Sequence, residues 1–318
     1  MKGDKIPKMP NQSFDHEIII TGGGPGGLTA AIYSARARRK TLLLEKAMPG
    51  GQMAFTALIE NFPGFPEGSS GMDLAQKIVE QAERFGTDIY MEEVKNLTFE
   101  QDGFTVHTNH GQHRAPVVIV SSGSKWKMLG IPGEKRLSGK GVSYCATCDA
   151  MLFRDKEVVV VGGGDTALVE ALFLTKHVKH LHLVHRRDEL RAEKILQERA
   201  FENEKISIIW DSIVTEINGD ISVESVKLKN KKTGEEKIFP TEGVFIFVGN
   251  VPNSDFLPEN VKKTDDGHVV INQRMETNLP GLYAIGDVRH DTIRQVVAAA
   301  GDGAIAAWHA DKFLDKLE

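Results

Sequence analysis

Cys145 and Cys148 are the only cysteines in a chain of 318 residues, and they stand in Tyr144-Cys145-Ala146-Thr147-Cys148-Asp149. With no other thiol there is no structural disulfide framework and no four-cysteine metal site. A dithiol at this spacing closes a small, strained and reducible ring, which is the chemistry of thiol–disulfide exchange. The apolar Ala150, Met151, Leu152 and Phe153 that follow predict a helix beginning at the pair. That would set the thiols near a positive dipole end and favour thiolate. Alone, the pair also fits half of a zinc site or two buried cysteines. Its place between two glycine-rich loops selects the redox reading.

The first loop follows the apolar run Glu17–Ile20 and reads Gly22-Gly23-Gly24-Pro25-Gly26-Gly27. A helical stretch, Leu28 to Arg39, and a second apolar run, Thr41 to Glu45, come next. Strand, G-x-G-x-x-G, helix and strand form a βαβ dinucleotide unit. Glu45 ends the second strand 18 residues after Gly27, where a carboxylate accepts hydrogen bonds from a ribose diol.

The pattern then repeats. Glu157 to Val161 leads into Gly162-Gly163-Gly164-Asp165-Thr166-Ala167, a helical stretch through Leu174, and the strand Leu181 to Val184. The residue 18 positions past Ala167 is His185, followed by Arg186 and Arg187. One slot therefore holds an acid in the first unit and a basic cluster in the second, which points to a 2′-phosphate. Arg191, four residues beyond Arg187 and so on one helical face with it, is expected to join the cluster. Charge-assisted contacts contribute roughly 1.5–3 kcal/mol each, so two favour NADPH over NADH on the order of a hundredfold or more. The competing reading of His185 to Glu189 is a solvated helix start.

A third segment, Leu279 to Asp287, is an apolar strand ending in Gly286-Asp287. Its carboxylate at a strand tip suits the polyol chain of a flavin; by itself it would as readily cap the next helix. Beside two dinucleotide loops the flavin reading prevails, so the cofactors expected are FAD and NADPH.

The elements that must position these groups define an α/β protein with two Rossmann-like dinucleotide-binding domains. The first loop and the Gly-Asp segment belong to one flavin site, so the second unit is inserted into the first. Crossovers are expected at Gly123-Ser124 and Gly249-Asn250, giving a leader over 1–13, an FAD domain over 14–123 and 251–318, and an NADPH domain over 124–250 that carries the dithiol. Dithiol and nicotinamide loop thus ride on one body, and both must reach one flavin, so the inserted domain is expected to rotate about the crossovers.

Bulk properties exclude other classes. A net charge of −5 gives no global basic field for nucleic acid. No apolar run approaches the roughly 18–20 residues that span a bilayer. Met1 to Phe14 is polar, with no hydrophobic core region, and reads as a flexible leader instead of a secretory signal. A dithiol without an export signal belongs in a reducing compartment, and the expectation is cytoplasmic. His107, His110 and His113 flank Asn109-His110-Gly111, a hairpin turn, and no metal site is expected there or at His180, His182 and His185.

Together these motifs resemble the bacterial-type, low-molecular-weight thioredoxin reductases, flavoprotein pyridine nucleotide-disulfide reductases, from about Phe14 to the C-terminus. The resemblance rests on the two glycine loops, Gly50-Gly51-Gln52, Cys145-Ala146-Thr147-Cys148-Asp149, His185-Arg186-Arg187, Gly286-Asp287, Arg294-Gln295 and Gly301-Asp302-Gly303. It implies that Gly22, Gly24 and Gly27 cradle the FAD pyrophosphate, that Glu45 holds its ribose and that Asp287 contacts the ribityl chain. Gly51, Gln52, Asn61, Arg294 and Gln295 would belong to the isoalloxazine site. Gly162, Gly164 and Ala167 would form the NADPH loop, with His185, Arg186, Arg187 and Arg191 at the 2′-phosphate. Cys148 would face the flavin, Cys145 would attack the substrate disulfide, and Asp149 would exchange the proton each thiolate leaving group needs. The implied partner is thioredoxin or a thioredoxin-like protein disulfide, and the implied assembly is a homodimer. One departure is Ser121-Ser122-Gly123-Ser124, where the family has an Ala-Thr-Gly-Ala-like crossover.

Two other readings use the same residues. One is a reductase of a different protein disulfide carrier. The other is a flavin-dependent dithiol oxidase passing electrons to oxygen, which would leave the second glycine loop and its arginines without a task.

Overall fold

Ile18–Thr21 and Val158–Val161 are buried at every position, without alternation, the pattern of parallel strands covered on both faces. A computed structural model describes residues 14–56, 58–100 and 103–317, so the leader lies outside the described residues. The chain divides into two compact units, one running to Lys125 and resuming at Val251, the other spanning Trp126–Asn250.

β1 (Ile18–Thr21) feeds α1 (Pro25–Arg36), which returns to β2 (Thr41–Leu44) in parallel register, Ile18 opposite Thr41. α1 starts three residues earlier and stops three earlier than the sequence pattern suggested. Proline at its first position suits a helix start, and Arg38 turns to φ +65° just beyond its end. α2 (Gly71–Arg84) is capped by Ser70, whose hydroxyl accepts the Asp73 N–H at 3.0 Å, and leads to β3 (Asp88–Tyr90). An antiparallel meander follows: β4 (Val94–Glu100), β5 (Gly103–Thr108) and β6 (Gln112–Ala115). The β5–β6 turn holds Asn109 to Gly111, as the hairpin signal required. β7 (Val117–Val120) then joins the parallel sheet on the other side of β1, and β8 (Ser124–Trp126) ends the segment.

The second unit opens with β9 (Val142–Ser143) and the single-turn α3 (Ala146–Asp149), then β10 (Glu157–Gly162), α4 (Asp165–Leu174) and β11 (His180–Val184). α5 (Lys194–Phe201) and β12 (Ile206–Ile209) precede a second meander of β13 (Ser212–Asn218), β14 (Ser225–Asn230) and β15 (Glu236–Pro240). β16 (Gly243–Phe247) completes this unit's sheet, β17 (Asn250–Pro252) leads out, and β18 (Leu282–Ala284) and α6 (Val296–Leu314) return to the first unit.

The two parallel sheets, ordered β18-β7-β1-β2-β3 and β12-β11-β10-β16-β9, repeat one plan. β1 and β10 are central, each flanked by the strand after its helix and by a later strand. This is the doubly wound arrangement, in which ligands bind at the strands' carboxyl ends beside the reversal of strand order. In the first unit α1 packs on α6 so closely that a Cβ at Gly303 would lie 2.3 Å from the Gly26 carbonyl oxygen.

One expectation is corrected. Arg187 and Arg191 do not share a helix face, because residues 186–193 are bends and irregular chain and α5 begins only at Lys194. The Arg191 N–H bonds the Gly163 carbonyl at 2.7 Å, which ties the segment back to the glycine loop and competes with helix formation.

Candidate active site

At the first loop, Gly22 has φ +108°, and a Cβ there would meet the Ser121 carbonyl oxygen at 2.3 Å. Gly27 is equally confined: its Cβ would lie 2.0 Å from the Gly22 carbonyl oxygen. Gly24 is different, since a Cβ on it meets nothing within 4 Å. It is also the N-cap of α1 and makes no side-chain cap bond to the helix's first N–H groups. A closely packed loop with one open face at an uncapped helix start is an anion cradle.

Glu45 closes this cradle. Its Oε2 accepts the Gly23 N–H at 2.7 Å and its Oε1 the Ala47 N–H at 3.0 Å. Beside it opens a cavity of about 370 Å³ lined in part by Gly22, Glu45, Lys46, Ser122 and Asn253. Gly51, at φ +58°, stands against Gly24, and the Gly50 N–H bonds the Gly23 carbonyl at 2.7 Å.

The polar residues expected around a flavin ring gather in the same unit. The Gln52 Nε2 donates to the Ser124 carbonyl at 2.6 Å, and the Asn61 Nδ2 to the Gln295 Oε1 at 3.0 Å. Asp287 sits in the 3-10 turn Gly286–Val288, not as a cap. Burial pushes its carboxyl up, while the Arg294 guanidinium and the Ser124 hydroxyl pull it down. Arg294, in a left-handed conformation at φ +53°, donates to His268 Nε2 at 3.2 Å. That ring nitrogen must therefore be the acceptor, leaving the His268 Nδ1–H for Asp266 at 3.1 Å. The Thr264 hydroxyl and His268 hold Asp266 down to about 2. The open cradle, the acid beside the loop and a buried carboxylate beyond it fit FAD.

In the second unit Gly164 is again an uncapped N-cap, of α4, with open space where a Cβ would stand. A Cβ on Gly162 would press on Ala167 at 2.5 Å. His185 is buried against the loop: a Cβ on Gly163 would lie 2.2 Å from its Nδ1, and that nitrogen donates to the Gly162 carbonyl at 2.8 Å. Burial pushes the His185 pKa down; its bonds to the Gly162 and Glu189 backbone oppose the shift, and the charges of Arg191 and Arg186 add to it. The ring is neutral there. Arg186, Arg187 and Arg191, in the segment that follows it, are exposed.

Cys145 is disulfide-bonded. The backbone of Cys148 lies in α3, and its side chain is outside the described residues. The Ser143 hydroxyl donates to the Cys145 carbonyl and accepts its N–H, both at 3.1 Å. The Asp149 N–H reaches the Cys145 carbonyl at 3.3 Å. The expected helix is one α-turn continued as the 3-10 turn Ala150–Phe153, too short for a sizeable dipole. Its start is not an open positive end either: the Ala146 N–H is held by Glu170 Oε2, on α4, at 3.0 Å.

Several site residues escaped the sequence reading. Glu170 is one and His268 another, and no role is expected from the sequence for Ser124 or Asp302 beyond their motifs. Asp302, in the Gly301-Asp302-Gly303 motif, is buried, accepts the Gly286 N–H at 3.0 Å and pairs with Arg289 Nε at 2.6 Å. Glu134 is also buried, accepting the Leu129 and Gly130 N–H groups at 2.8 and 2.7 Å and the Tyr144 hydroxyl at 2.7 Å. A cluster of backbone N–H groups about a carboxylate has no short sequence signature.

Two dinucleotide cradles and one redox disulfide on a single chain define a nucleotide-dependent disulfide oxidoreductase. The chain matches the Pyridine nucleotide-disulphide oxidoreductase family over residues 16–303 and belongs to it. It is 45% identical over 308 residues to the thioredoxin reductase of Peptoclostridium litorale, covering 95% of this chain and 98% of that protein. It is 44% identical over 313 residues to that of Listeria monocytogenes, covering 98% and 97%. The crystal structure of Lactococcus lactis thioredoxin reductase in its FR conformation is similar at TM-score 0.93 and 43% identity, covering 95% of this chain and 99% of that one.

Proposed function

We infer that the chain is an NADPH-dependent, FAD-containing reductase of the thioredoxin disulfide. The observation that carries this is the pairing, on one unit, of a disulfide at Cys145 with a glycine loop to which a segment bearing three exposed arginines is tied through the Arg191 N–H. The other unit offers the acid-lined cradle. Near-full-length identity to thioredoxin reductases supports the choice of substrate.

Bound FAD supplies a two-electron relay between the nicotinamide and the disulfide. The unit 14–125 with 251–317 would hold it through Gly22, Gly24, Gly27 and Glu45, with Asp287 at the ribityl chain and Gln52, Asn61, Arg294 and Gln295 toward the ring. The inserted unit takes NADPH at Gly162, Gly164 and Ala167, with Arg186, Arg187 and Arg191 at the 2′-phosphate. His185 supports the loop from beneath.

Once reduced, Cys145 attacks one sulfur of the substrate disulfide as thiolate, forming a mixed disulfide and expelling the other substrate sulfur. Cys148 then attacks the Cys145 sulfur, which re-forms the chain's own disulfide and releases the second substrate sulfur. Each attacking thiol gives up a proton and each leaving sulfur takes one, and Asp149 is assigned as the acceptor and donor in that exchange. The two electrons end on the substrate dithiol.

A homodimer is part of this reading. Val297, Ile305 and Trp308 are exposed along α6 at four- and three-residue spacings through Gly301, an apolar stripe suited to a second copy. Residence in the cytoplasm is the further part, supported by a catalytic dithiol that needs a reducing compartment. Among the described residues no helix is long and apolar enough to cross a membrane.

The test mixes purified flavoprotein, NADPH and oxidised thioredoxin and follows NADPH absorbance, with Cys148→Ser as control. Turnover that disappears in the variant is expected. Flavin bleached by NADPH without thioredoxin turnover would assign the enzyme to another protein disulfide. Failure of NADPH to bleach the flavin would overturn the donor assignment.

A further inference from the structure

Glu170 belongs to neither glycine motif, yet it joins the nucleotide helix to the dithiol turn. It lies on α4, the helix that starts at the second loop, and its Oε2 accepts the Ala146 N–H at 3.0 Å. The Thr147 N–H is its second backbone partner, while burial pushes its carboxyl up. Both N–H groups belong to residues between the two cysteines. From the other side Ser143 clamps the Cys145 backbone with two bonds at 3.1 Å. The turn is thus fixed by a carboxylate and a hydroxyl, and the carboxylate stands where a helix start would otherwise present free N–H groups.

We propose that Glu170 is a positioning residue that holds the Cys145–Cys148 pair at a low reduction potential, by setting a negative charge against the N–H groups between the two sulfurs. This rests on the reading that this disulfide is the one turned over. Reduction breaks the S–S bond and takes in two electrons, leaving each sulfur as a thiolate or, with a proton from solvent, as a thiol. The disulfide is neutral, so a nearby carboxylate raises the energy of the ionised reduced form alone. Free N–H groups at a helix start act oppositely, stabilising thiolate and making a pair more oxidising. A donor that must pass electrons onward gains from the lower potential. The ionisable groups on the elements about the turn are Asp149 within it, Glu170 on α4, and Tyr144 with its partner Glu134 on the strand side.

Glu170→Gln keeps an oxygen to accept the N–H groups and removes the charge. The full-length flavoprotein is equilibrated with mixtures of reduced and oxidised dithiothreitol, trapped by alkylation, and the reduced fraction read by mass. If one thiol has an ordinary pKa of about 8.5 with the charge in place and about one unit less without it, Glu170→Gln increases the equilibrium constant for reduction about fivefold near pH 8.5. At 29.6 mV per decade that is about 20 mV. Near pH 7, where ordinary thiols are mostly protonated, the increase shrinks to less than about twofold. Equal constants for the two proteins at about pH 8.5 would reduce Glu170 to a neutral cap and overturn the proposal.

Glu170→Asp draws the charge back by one methylene and covers the case in which the glutamine variant does not fold. A rise of about twofold is expected for it near pH 8.5, and no rise contradicts the proposal. Missing thioredoxin turnover in the unaltered protein would refute the functional reading while leaving these equilibria intact.

Discussion

The two glycine loops fill one topological slot with opposite chemistries. Glu45 packs on Gly23 and takes its N–H at 2.7 Å, whereas His185 packs on Gly163 and donates to the Gly162 carbonyl at 2.8 Å. In both units the slot residue first braces the middle of the loop. The acid at position 45 also lines the adjoining cavity, so one side chain both braces the loop and faces the ligand space. In the inserted unit those tasks are divided. His185 is turned inward and neutral, and the charge that would read a phosphate has moved to the exposed Arg186 and Arg187. Equal spacing in the sequence therefore marks an equal place, not an equal role.

The third loop position sharpens the contrast with the largest expected effect. Gly27→Ala forces a Cβ to 2.0 Å from the Gly22 carbonyl oxygen. It should lower FAD affinity more than about a hundredfold, because steric strain in a packed site is costly. Ala167→Gly merely adds a glycine inside α4, at a cost of about 1 kcal/mol. It should leave NADPH kinetics nearly unchanged. The flavin-to-protein absorbance ratio after gel filtration checks the first, and steady-state KM the second. Equal losses in the two variants would break the comparison.

Next in size is Glu45→Gln. The amide still accepts the Gly23 N–H but loses the charge-assisted ribose contact, roughly 1.5–3 kcal/mol. FAD affinity should fall by roughly ten- to a hundredfold, measured by fluorescence titration of the apoprotein. A variant that retains FAD as well as the parent would remove Glu45 from ribose recognition.

The smallest effect concerns His185. Its folded pKa lies below the ordinary 6.5, so the neutral ring stabilises the fold above that unfolded value. The contribution is lost as pH falls through the lowered folded value. Between about pH 7 and 5.5 the parent's melting midpoint should drop one to three degrees more than that of His185→Gln, on the order of what a modest linkage change produces. Parallel pH profiles would show that the ring does not titrate against the loop.

Legibility followed the range of each interaction. Both βαβ units, their loops and the strand-tip Asp287 were readable because each is a run of neighbouring residues with its own periodicity or glycine pattern. Glu45 was readable because strand and helix lengths fix its distance from the loop. The helix face imagined for Arg187 and Arg191 failed because a single bond, from the Arg191 N–H to the Gly163 carbonyl 28 residues earlier, directs that segment elsewhere. Glu170 was missed for a related reason. A glutamate within a helix reads as solvated, and only the fold brings it to Ala146, 24 residues away. His268 and Arg294, 26 residues apart, meet by tertiary packing in the same way.

The central claim is that the exposed arginines, and not His185, distinguish the two nicotinamide donors. It is tested most directly by kcat/KM for NADPH and for NADH in the parent and in the double variant Arg186→Ala, Arg187→Ala. Loss of two charge-assisted contacts predicts a fall in the NADPH-to-NADH ratio of at least about a hundredfold, with the NADH value nearly unchanged. A ratio that survives the double substitution, whether kcat/KM is unchanged or falls equally for both donors, would contradict the account.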